Sequence, residues 1–332
     1  MTVKIGMIGA GGIARHHLNT LSKIPLAQVV GVFDVNRESA ERAAASVGAR
    51  VADSADALLN RSDIDAVFIC TPQFARDDLE AVAAGRGIHL FVEKPLGLEL
   101  DSVRRKEKAI REAGVLHSVG YVLRYYDTVQ QAKHYLQGRT VHLVQAYRFG
   151  TSHPAAWWRQ QHQSGGHLAD AVTHQVDLIR YLVGEYRDVS ARFGRSAIGE
   201  LYPDATIADA GAVSFTLESG AVGTITESCI SPFNGESEIK LFGPDFYVQL
   251  SGNGKTVTII DKERHVTITS KRDPSYEQDK AFVEAVASGS GDSILCGYAD
   301  GMRTLAFALA AHRSAESGGA VPVEDEGPPV MA

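Results

Sequence analysis

The sequence has few cysteines and no long apolar run. Its three cysteines, Cys70, Cys229 and Cys296, are odd in number and far apart, which argues against a disulfide framework or a thiolate metal site and fits a reducing compartment. We expect all three in the core. No apolar stretch approaches the roughly 20 residues of a membrane-spanning helix, and the apolar start at 3–8 is too short for a secretory signal. The chain is therefore expected to be soluble and cytoplasmic.

Positive charge is also scarce. Lysine and arginine number 33 against 40 aspartate and glutamate residues, which gives a net charge of -7. Without a basic face, neither nucleic acid nor an anionic membrane is predicted as a partner. The 332 residues, 44% apolar and 22% charged, are ordinary for a globular protein but exceed what one hydrophobic core usually organises, so two domains are predicted.

The first 120 residues alternate between strand and helix patterns. The predicted strands cover 3–8, 29–33, 66–70 and 88–92, and the predicted helices cover 13–23, 38–47, 75–84 and 99–113. This alternation predicts an α/β domain at 1–120 with a doubly wound parallel sheet. That this domain is an NAD(P)-binding Rossmann fold is implied by the motifs and the family resemblance given below.

The pattern changes after residue 120. Helices are predicted at 125–136, as one long helix at 166–183, and at 276–287 and 298–316; strands are predicted at 141–149, 188–193, 212–217, 222–228, 237–242, 246–250, 256–260 and 266–269. We therefore expect an α+β domain at 121–323 with a large, mostly antiparallel open sheet. Its role in substrate binding and oligomer contacts is implied by the family resemblance given below. Its helix at 298–316 could pack back on the first domain, and the tail at 324–332 is too polar and proline-rich to pack.

A glycine run after the first predicted strand is typical of dinucleotide binding. Gly9 allows the sharp turn, Gly11 lets the backbone approach a pyrophosphate, and Ala14 keeps the following helix close to the strand. Asp34 follows 20 residues after Ala14, where a carboxylate would bind both ribose hydroxyls of NAD and repel the 2′-phosphate of NADP. Arg37 could instead hold that phosphate, so NADP stays possible. The alternative is that the glycines only shape a tight turn.

The strand at 88–92 ends in Glu93-Lys94-Pro95. Ligands of parallel sheets lie at the carboxyl ends of the strands, so Lys94 is predicted to point into the cofactor crevice. Its ammonium could bond a ribose hydroxyl and a substrate oxygen together. Pro95 would restrict the backbone there, and a cis bond would do so further. The alternative is a surface lysine before a helix-starting proline.

Polar residues recur along the predicted helix at 166–183. His167, Asp170, His174 and Asp177 are spaced by three and four residues, so they share one helix face. A carboxylate one turn from an imidazole would orient it and stabilise its protonated form, as a base acting on an alcohol requires. The alternatives are a solvated face, a buried hydrogen-bonded histidine or a metal site. A metal is least favoured, since no thiolate or further acidic cluster stands beside the pair.

Taken together, these motifs resemble the Gfo/Idh/MocA family of sugar and cyclitol oxidoreductases over nearly the whole chain. The residues that carry the resemblance are the run 9–14, Thr71-Pro72, Glu93-Lys94-Pro95, Arg124, Gly165-Gly166, Asp170, His174 and Asp177. The resemblance implies a nicotinamide cofactor, an open second-domain sheet that often forms oligomer contacts, and hence a homo-oligomer, a dimer or tetramer. It also implies Lys94 and His174 as the acid/base pair, with Asp170 holding the substrate or the imidazole.

The cofactor-binding residues predicted in this way are Gly9, Gly11, Gly12, Ile13, Asp34, Arg37, Thr71, Pro72, Glu93 and Lys94. Three positions depart from the family pattern. Gln73 stands where many members have asparagine, Arg76 where they often have histidine, and Asp127 where a proline commonly follows the arginine-aromatic pair. These departures affect cofactor detail more than chemistry.

The predicted substrate residues combine aromatic rings with polar groups, because aromatic faces suit the apolar face of a sugar ring. They are Tyr121, Arg124, Trp157 and Trp158, together with Asp170 and His174; Tyr125, His153 and Arg159 are secondary candidates. The alternative is that several of the aromatic residues belong to the core or an interface. No dense basic cluster accompanies them, so an unphosphorylated sugar or inositol is the expected substrate.

The predicted reaction is hydride transfer between the nicotinamide and a secondary alcohol, with His174 taking the hydroxyl proton and Lys94 stabilising the alkoxide. Two other functions remain open. One is a glycosidase that works by transient oxidation and elimination with a retained NAD. The other is a non-catalytic, dinucleotide-sensing regulator, against which the intact Lys94, Asp170 and His174 argue.

Overall fold

The computed structural model describes residues 2–232 and 235–324, and the chain folds as two compact units. Of the described residues, the first unit contains those up to Val122 together with Asp273–Met302, and the second contains those from Leu123 to Arg272 together with those from Arg303 to Glu324. The predicted tail at 324–332 lies, apart from Glu324, outside the described residues.

The first unit is built on a six-stranded parallel sheet. Its strands are β1 Val3–Ile8, β2 Ala27–Phe33, β3 Arg50–Val51, β4 Ala66–Ile69, β5 His89–Val92 and β6 His117–Val119, in the order β3-β2-β1-β4-β5-β6. Five helices connect them: α1 Gly12–Leu21, α2 Arg37–Val47, α3 Ala55–Leu59, α4 Leu79–Gly85 and α5 Leu100–Ala113. The order reverses direction between β1 and β4, as in a Rossmann fold, and confirms the predicted α/β class.

Differences from the predicted elements in this unit have local causes. The predicted helix at 75–84 begins only at Leu79, because Asp77 has a positive φ of 42° and interrupts the helical backbone after a 3-10 turn, Gln73–Ala75. The strands β3 and β6 were not predicted, since two and three residues are too few to show a periodic pattern.

The second unit is built on a nine-stranded sheet, most of it antiparallel. Along the chain come α6 Asp127–Leu136, β7 Leu143–Phe149, α7 Gln161–Ser164, α8 Gly166–Asp170, α9 Thr173–Val183, β8 Tyr186–Gly194, α10 Ile198–Leu201, β9 Ala210–Leu217, β10 Val222–Ser228, β11 Glu236–Phe242, β12 Phe246–Ser251, β13 Thr256–Asp261 and β14 His265–Thr269. The strand order is β14-β13-β12-β11-β7-β10-β9-β8-β15, where β15 is Val321–Pro322, and β7 and β10 pair in parallel. The predicted α+β class with a large open sheet is confirmed.

The single helix predicted at 166–183 is wrong, because the structure contains the two helices α8 and α9. The carbonyl of His167 accepts hydrogen bonds from both Ala171 N, at 2.9 Å, and Val172 N, at 3.0 Å. The hydrogen-bond register therefore shifts by one residue at this point. Consequently Asp170 and His174 do not lie on one continuous helix face.

Two helices near the end of the described chain are α11 Pro274–Ser288 and α12 Tyr298–Ser317. The α11 side chains Phe282 and Val283 are fully buried in the core of the first unit, where Phe282 packs edge-on against the stacked rings of Phe68 and Phe91. The sequence-based assignment of all of 121–323 to one second domain is therefore wrong for Asp273–Met302. Of α12, only the first turn, up to Met302, groups with the first unit.

Other core features follow from burial. All three cysteines are buried, which confirms their assignment to the core. Arg124 and Asp177 form a buried ion pair in the second unit, with Nη2 2.6 Å from Oδ1 and Nε 2.9 Å from Oδ2.

Within the described part of the chain, no helix has both the length and the apolar character needed to cross a membrane.

The place of α11 in the first core can be tested by substitution. Phe282→Ala should lower the free energy of unfolding by about 3–5 kcal/mol, because it leaves a cavity among packed aromatic rings. Lys280→Ala on the same helix is the control, since its partly exposed side chain makes only a 3.8 Å ion pair with Glu284, worth about 0–1 kcal/mol. Urea denaturation measures both, and equal effects would contradict the packing described here.

Candidate functional site

The glycines in the turn between β1 and α1 have different roles: one is required by the backbone, and two lie beside free space. Gly9 has a φ of +100°, and a Cβ there would lie 2.8 Å from the carbonyl oxygen of Cys70. A Cβ on Gly11 or Gly12 would meet no atom within 4 Å. Gly9 is therefore needed to make the turn, whereas Gly11 and Gly12 leave the first backbone amides of α1 accessible to a ligand.

Asp34, directly after β2, is fixed against this turn. Its Oδ2 accepts a hydrogen bond from Ala10 N at 2.7 Å, and its Oδ1 accepts one from Asn36 N at 2.8 Å. Each carboxylate oxygen has further acceptor capacity, so Asp34 can still take the hydroxyls of a ribose. Arg37 is turned to other acids on the surface: its Nε donates to Glu41 at 3.1 Å and its Nη1 to Asp53 at 2.9 Å.

A cavity of about 600 Å³ lies at the carboxyl ends of these strands. Five of the predicted cofactor residues line it: Gly9, Gly11, Asp34, Thr71 and Pro72. Buried Thr71 Oγ1 has no hydrogen-bond partner among the described residues, so a polar ligand group would satisfy it. The open glycines, the acid and this hydroxyl together fit a dinucleotide. The other predicted cofactor residues, Gly12, Ile13, Arg37, Glu93 and Lys94, do not line this cavity.

Apolar residues form another wall of the cavity. Val35 is 95% exposed and Val82 is 40% exposed, although both line the space above the sheet. Exposed aliphatic side chains beside a polar anchor suit the flat face of a base. Neither residue was predicted.

The segment around Lys94 is fixed by buried charged groups. The Lys94-Pro95 peptide bond is cis. Arg76, only 1% exposed, donates from Nε to the Thr71 carbonyl at 3.0 Å and from Nη1 to the Pro95 carbonyl at 2.8 Å. Arg76 therefore ties together the segments that follow β4 and β5. The sequence marked Arg76 as a departure from the family pattern but did not predict this role.

Glu93 makes its contacts with the protein. Its Oε1 lies 3.0 Å from His17 Nε2, and its Oε2 accepts a hydrogen bond from Lys94 N at 3.1 Å. Its predicted contact with a cofactor stays a prediction.

In the second unit the polar residues predicted on one helix face have separate buried partners. Trp158 Nε1 donates to Asp170 Oδ2 at 2.7 Å, and His167 Nδ1 forms a short hydrogen bond with Glu227 Oε2. Asp177 pairs with Arg124, as described above. The observed contacts exclude a fully solvated face as the explanation of this stripe. His174 is only partly buried.

Arg148 on β7 is a charged residue that the sequence analysis missed. Its Nη1 donates to Asn253 Oδ1 at 2.7 Å, and it makes no ion pair with any described carboxylate. Burial lowers the pKa of Arg148, and the nearby charge of Asp170 opposes this shift. Glu227, its neighbour on β10, lies beside it in register. By the alternation of side chains along each strand, Arg148 and Glu227 both point to the buried face of the sheet. That alternation could have predicted these two charges on the buried face from the sequence.

Asn253 positions this arginine. It has a φ of +58°, and its Oδ1 also accepts hydrogen bonds from Ser237 Oγ, at 2.8 Å, and from Gln175 Nε2, at 3.2 Å. Arg148 is thus a half-buried cation that is fixed by a neutral amide close to Asp170.

The aromatic candidates divide between core and surface. Tyr121 and Tyr125 are buried, and Trp158 packs in a core cluster with Ile198, Ile207 and other residues, whereas Trp157 is only half-buried. The alternative that several of these rings are core residues therefore applies to Tyr121, Tyr125 and Trp158. Arg159 lies over the ring of Tyr202 at 4.3 Å. Over 2–232 and 235–324, no group of three or more histidine, cysteine or acidic residues could hold a metal ion.

Comparison with known proteins shows which family models and relatives this chain matches. The family model described as "Oxidoreductase family, NAD-binding Rossmann fold" (GFO_IDH_MocA) matches residues 3–121, and the model of the GFO/IDH/MocA C-terminal domain matches 129–246. The myo-inositol 2-dehydrogenase of Thermotoga maritima is 25% identical over 97% of this chain and 99% of its own length. The inositol 2-dehydrogenase of Rhizobium meliloti is 29% identical over 95% of this chain and 97% of its own.

A solved structure of a dehydrogenase is similar to this chain over nearly its whole length. The WlbA dehydrogenase from Bordetella pertussis, in complex with NADH and UDP-GlcNAcA, has a TM-score of 0.83 and 25% sequence identity. The match covers 97% of this chain and 99% of that one.

The different roles of Gly9 and Gly11 lead to a paired test. Gly9→Ala should lower the free energy of unfolding by about 1–3 kcal/mol or more, because it strains the backbone and meets the Cys70 carbonyl. Gly11→Ala should leave unfolding unchanged and weaken NAD binding at least about tenfold, or about 1.4 kcal/mol. Thermal unfolding and calorimetric titration with NAD measure the two effects. Unchanged NAD affinity in Gly11→Ala would contradict the assigned approach of the cofactor.

Proposed function

Because the chain belongs to the Gfo/Idh/MocA family of oxidoreductases with an NAD-binding Rossmann fold, we propose that it is an NAD-dependent dehydrogenase or reductase of an unphosphorylated sugar or cyclitol. The reaction moves a hydride between the nicotinamide and a secondary alcohol or its ketone. The observation that carries the proposal is the meeting of an open glycine turn, Asp34 and the unsatisfied Thr71 hydroxyl around one cavity in the first unit.

The proposal includes a preference for NAD over NADP. Asp34 is fixed beside the glycine turn, where its charge would bind ribose hydroxyls and repel a 2′-phosphate. Arg37, which could counter that repulsion, is engaged by Glu41 and Asp53. Both observations favour the unphosphorylated ribose.

The chemical roles are assigned to three residues of the chain. His174 takes the proton of the substrate hydroxyl, and Lys94 stabilises the negative charge that develops on that oxygen. Asp170, held by the indole of Trp158, orients the substrate or the His174 ring. When bound, the nicotinamide accepts or returns the hydride. In the reductive direction His174 returns the proton to that oxygen, and Lys94 stabilises the negative charge on the oxygen until it is protonated.

A neutral polyol is proposed as the substrate because acids accompany the two basic residues described near Asp170. The charge of Asp170 acts on Arg148, and His167 pairs with Glu227, so these two residues do not form a cluster of positive charge for a phosphate. The half-buried Trp157 offers an aromatic face, and Arg148 has further donors for hydroxyl oxygens. Two relatives named above are inositol dehydrogenases, which supports this class. A direct substrate contact by Tyr121 or Arg124 stays a prediction, as do the homo-oligomer and the cytoplasmic location.

The proposed function is tested by the absorbance of reduced nicotinamide. Purified protein is mixed with NAD or NADP and a panel of unphosphorylated sugars and inositols. NAD reduction by at least one polyol supports the proposal. Silence over this panel and over the matching ketoses with NADH, although NAD binds, would contradict it. Release of an aglycone from a glycoside without net reduction of NAD would point to the glycosidase.

Lys94→Ala and His174→Ala should each lower kcat by about 10²–10⁴, the usual contribution of acid/base groups, with a much smaller effect on the dissociation constant of NAD. Lys23→Ala and His162→Ala replace exposed residues of the same types and should leave kcat unchanged. Steady-state kinetics and NAD titration separate the two effects. Near-normal turnover in either active-site variant would rule out its assigned role.

Asp34→Asn should weaken NAD binding about 10- to 100-fold, because a hydrogen bond to a charged group is worth about 1.5–3 kcal/mol. NADP binding should weaken less or improve, since the repulsive charge is gone. Asp53→Asn, which disturbs only the surface partner of Arg37, should leave NAD affinity unchanged. Titration of each variant with both cofactors gives four dissociation constants to compare with those of the unchanged protein. An unchanged ratio of the NAD and NADP dissociation constants in Asp34→Asn would refute the preference.

A further inference from the structure

A buried histidine in the first unit joins three elements. His17, on the glycine-led helix α1, is 2% exposed. Its Nδ1 lies 2.9 Å from both carboxylate oxygens of Asp279 on α11, and its Nε2 lies 3.0 Å from Oε1 of Glu93 at the end of β5.

Both nitrogens of this ring face carboxylate oxygens. A neutral imidazole has one N–H, so it could donate to only one of the two acids, whereas an imidazolium donates to both. Burial lowers the pKa of His17, but the charges and hydrogen bonds of Asp279 and Glu93 outweigh burial and raise that pKa to about 10. The histidine is therefore charged at neutral pH, and the cluster is a buried ion triad.

The hydrogen bonds continue from the triad to the lysine. The second oxygen of Glu93 accepts the backbone N–H of Lys94 at 3.1 Å. On its other side the Glu93 carboxylate rests against Gly120, where a Cβ would lie 2.6 Å from Oε1. Glu93 is thus fixed by the imidazolium, by the Lys94 amide and by the close approach of a glycine.

We propose that His17 and Asp279 are positioning residues for Lys94. The imidazolium holds Glu93, and Glu93 holds the backbone from which the lysine side chain extends. The same histidine joins this segment to α1, whose N-terminus faces the cavity. His17 therefore fixes the backbone of Lys94 relative to the glycine turn. The inference rests on the proposed function only in taking Lys94 as the acid/base group.

A purely structural role for the triad makes a different prediction. Loss of a buried ion pair destabilises a protein wherever it lies. A positioning role requires in addition that Lys94 responds to the loss of His17 and that this response passes through Glu93. The experiment must therefore report on Lys94 itself.

The test compares His17→Gln with Leu18→Ala, which truncates a buried neighbour on the same helix that has no polar link to Glu93. Competitive labelling of amines with acetic anhydride, read by mass spectrometry, gives the reactivity of Lys94 relative to Lys23. We expect a change of at least about threefold in His17→Gln and none in Leu18→Ala. Equal changes in the two variants would overturn the proposal.

A double-mutant cycle tests the route through Glu93. In the Glu93→Gln background, His17→Gln should change the reactivity of Lys94 no further, since the link is already weakened. Additive changes would overturn the proposal. If His17→Gln does not fold, Asp279→Asn, which keeps an oxygen acceptor for the ring, takes its place with the same expected direction and the same overturning result.

Kinetics with an active substrate separate this inference from the proposed function. With such a substrate, His17→Gln should lower kcat at least about tenfold while KM changes less than about threefold, and Leu18→Ala should leave both unchanged. Labelling needs no substrate, so a response of Lys94 in a protein without dehydrogenase activity would sustain the positioning role and refute only the catalytic one. An unchanged kcat in His17→Gln would overturn the positioning role.

Discussion

The parallel register of the first sheet is the constraint on which the cofactor site depends. Parallel strands bring their carboxyl ends to one edge, so residues far apart in sequence meet there. Gly9, Asp34, Thr71 and Lys94 follow β1, β2, β4 and β5 in turn. The close approach of Gly9 to the Cys70 carbonyl shows how tightly two of these ends are packed. A side chain at Gly9 would force them apart, and the open amides of α1 would move with the turn.

Buried charges in both units are arranged in pairs or small networks, and their partners give them direction. In the first unit, Arg76 joins the segments that follow β4 and β5, and the His17 triad joins the second of these segments to α1 and α11. In the second unit, Thr304 accepts from Arg180 and donates to Asp177, which also holds Arg124. Buried ions without partners are costly, so these contacts favour the geometry in which the charged groups keep their partners. Side chains attached to such networks are held in fixed directions.

Strong local patterns made much of this structure predictable. The glycine run, the acid after β2 and the Glu93-Lys94-Pro95 segment each combine a short motif with a strand end, and both fold classes follow from the alternation of strands and helices. The cavity then contains five of the ten predicted cofactor residues. What these motifs share is that their geometry depends on neighbours close in sequence.

The remaining features depend on contacts between distant segments. Asp279 lies 262 residues from His17, and Asn253 lies 105 residues from Arg148, so no local pattern reveals either pair. The register shift at Ala171 interrupts a sequence with an uninterrupted helical pattern. The placement of α11 in the first core also depends on tertiary packing, since its own periodicity fits either unit.

The central claim is that a hydride passes from a carbon of the substrate to the nicotinamide. It is tested most directly with a polyol that carries deuterium on its hydroxyl-bearing carbons, incubated with NAD and the protein, followed by mass spectrometry of the reduced cofactor. The account predicts NADH that is heavier by one deuterium. Reduced cofactor without deuterium, or turnover of the polyol that leaves NAD without any transfer, would contradict it.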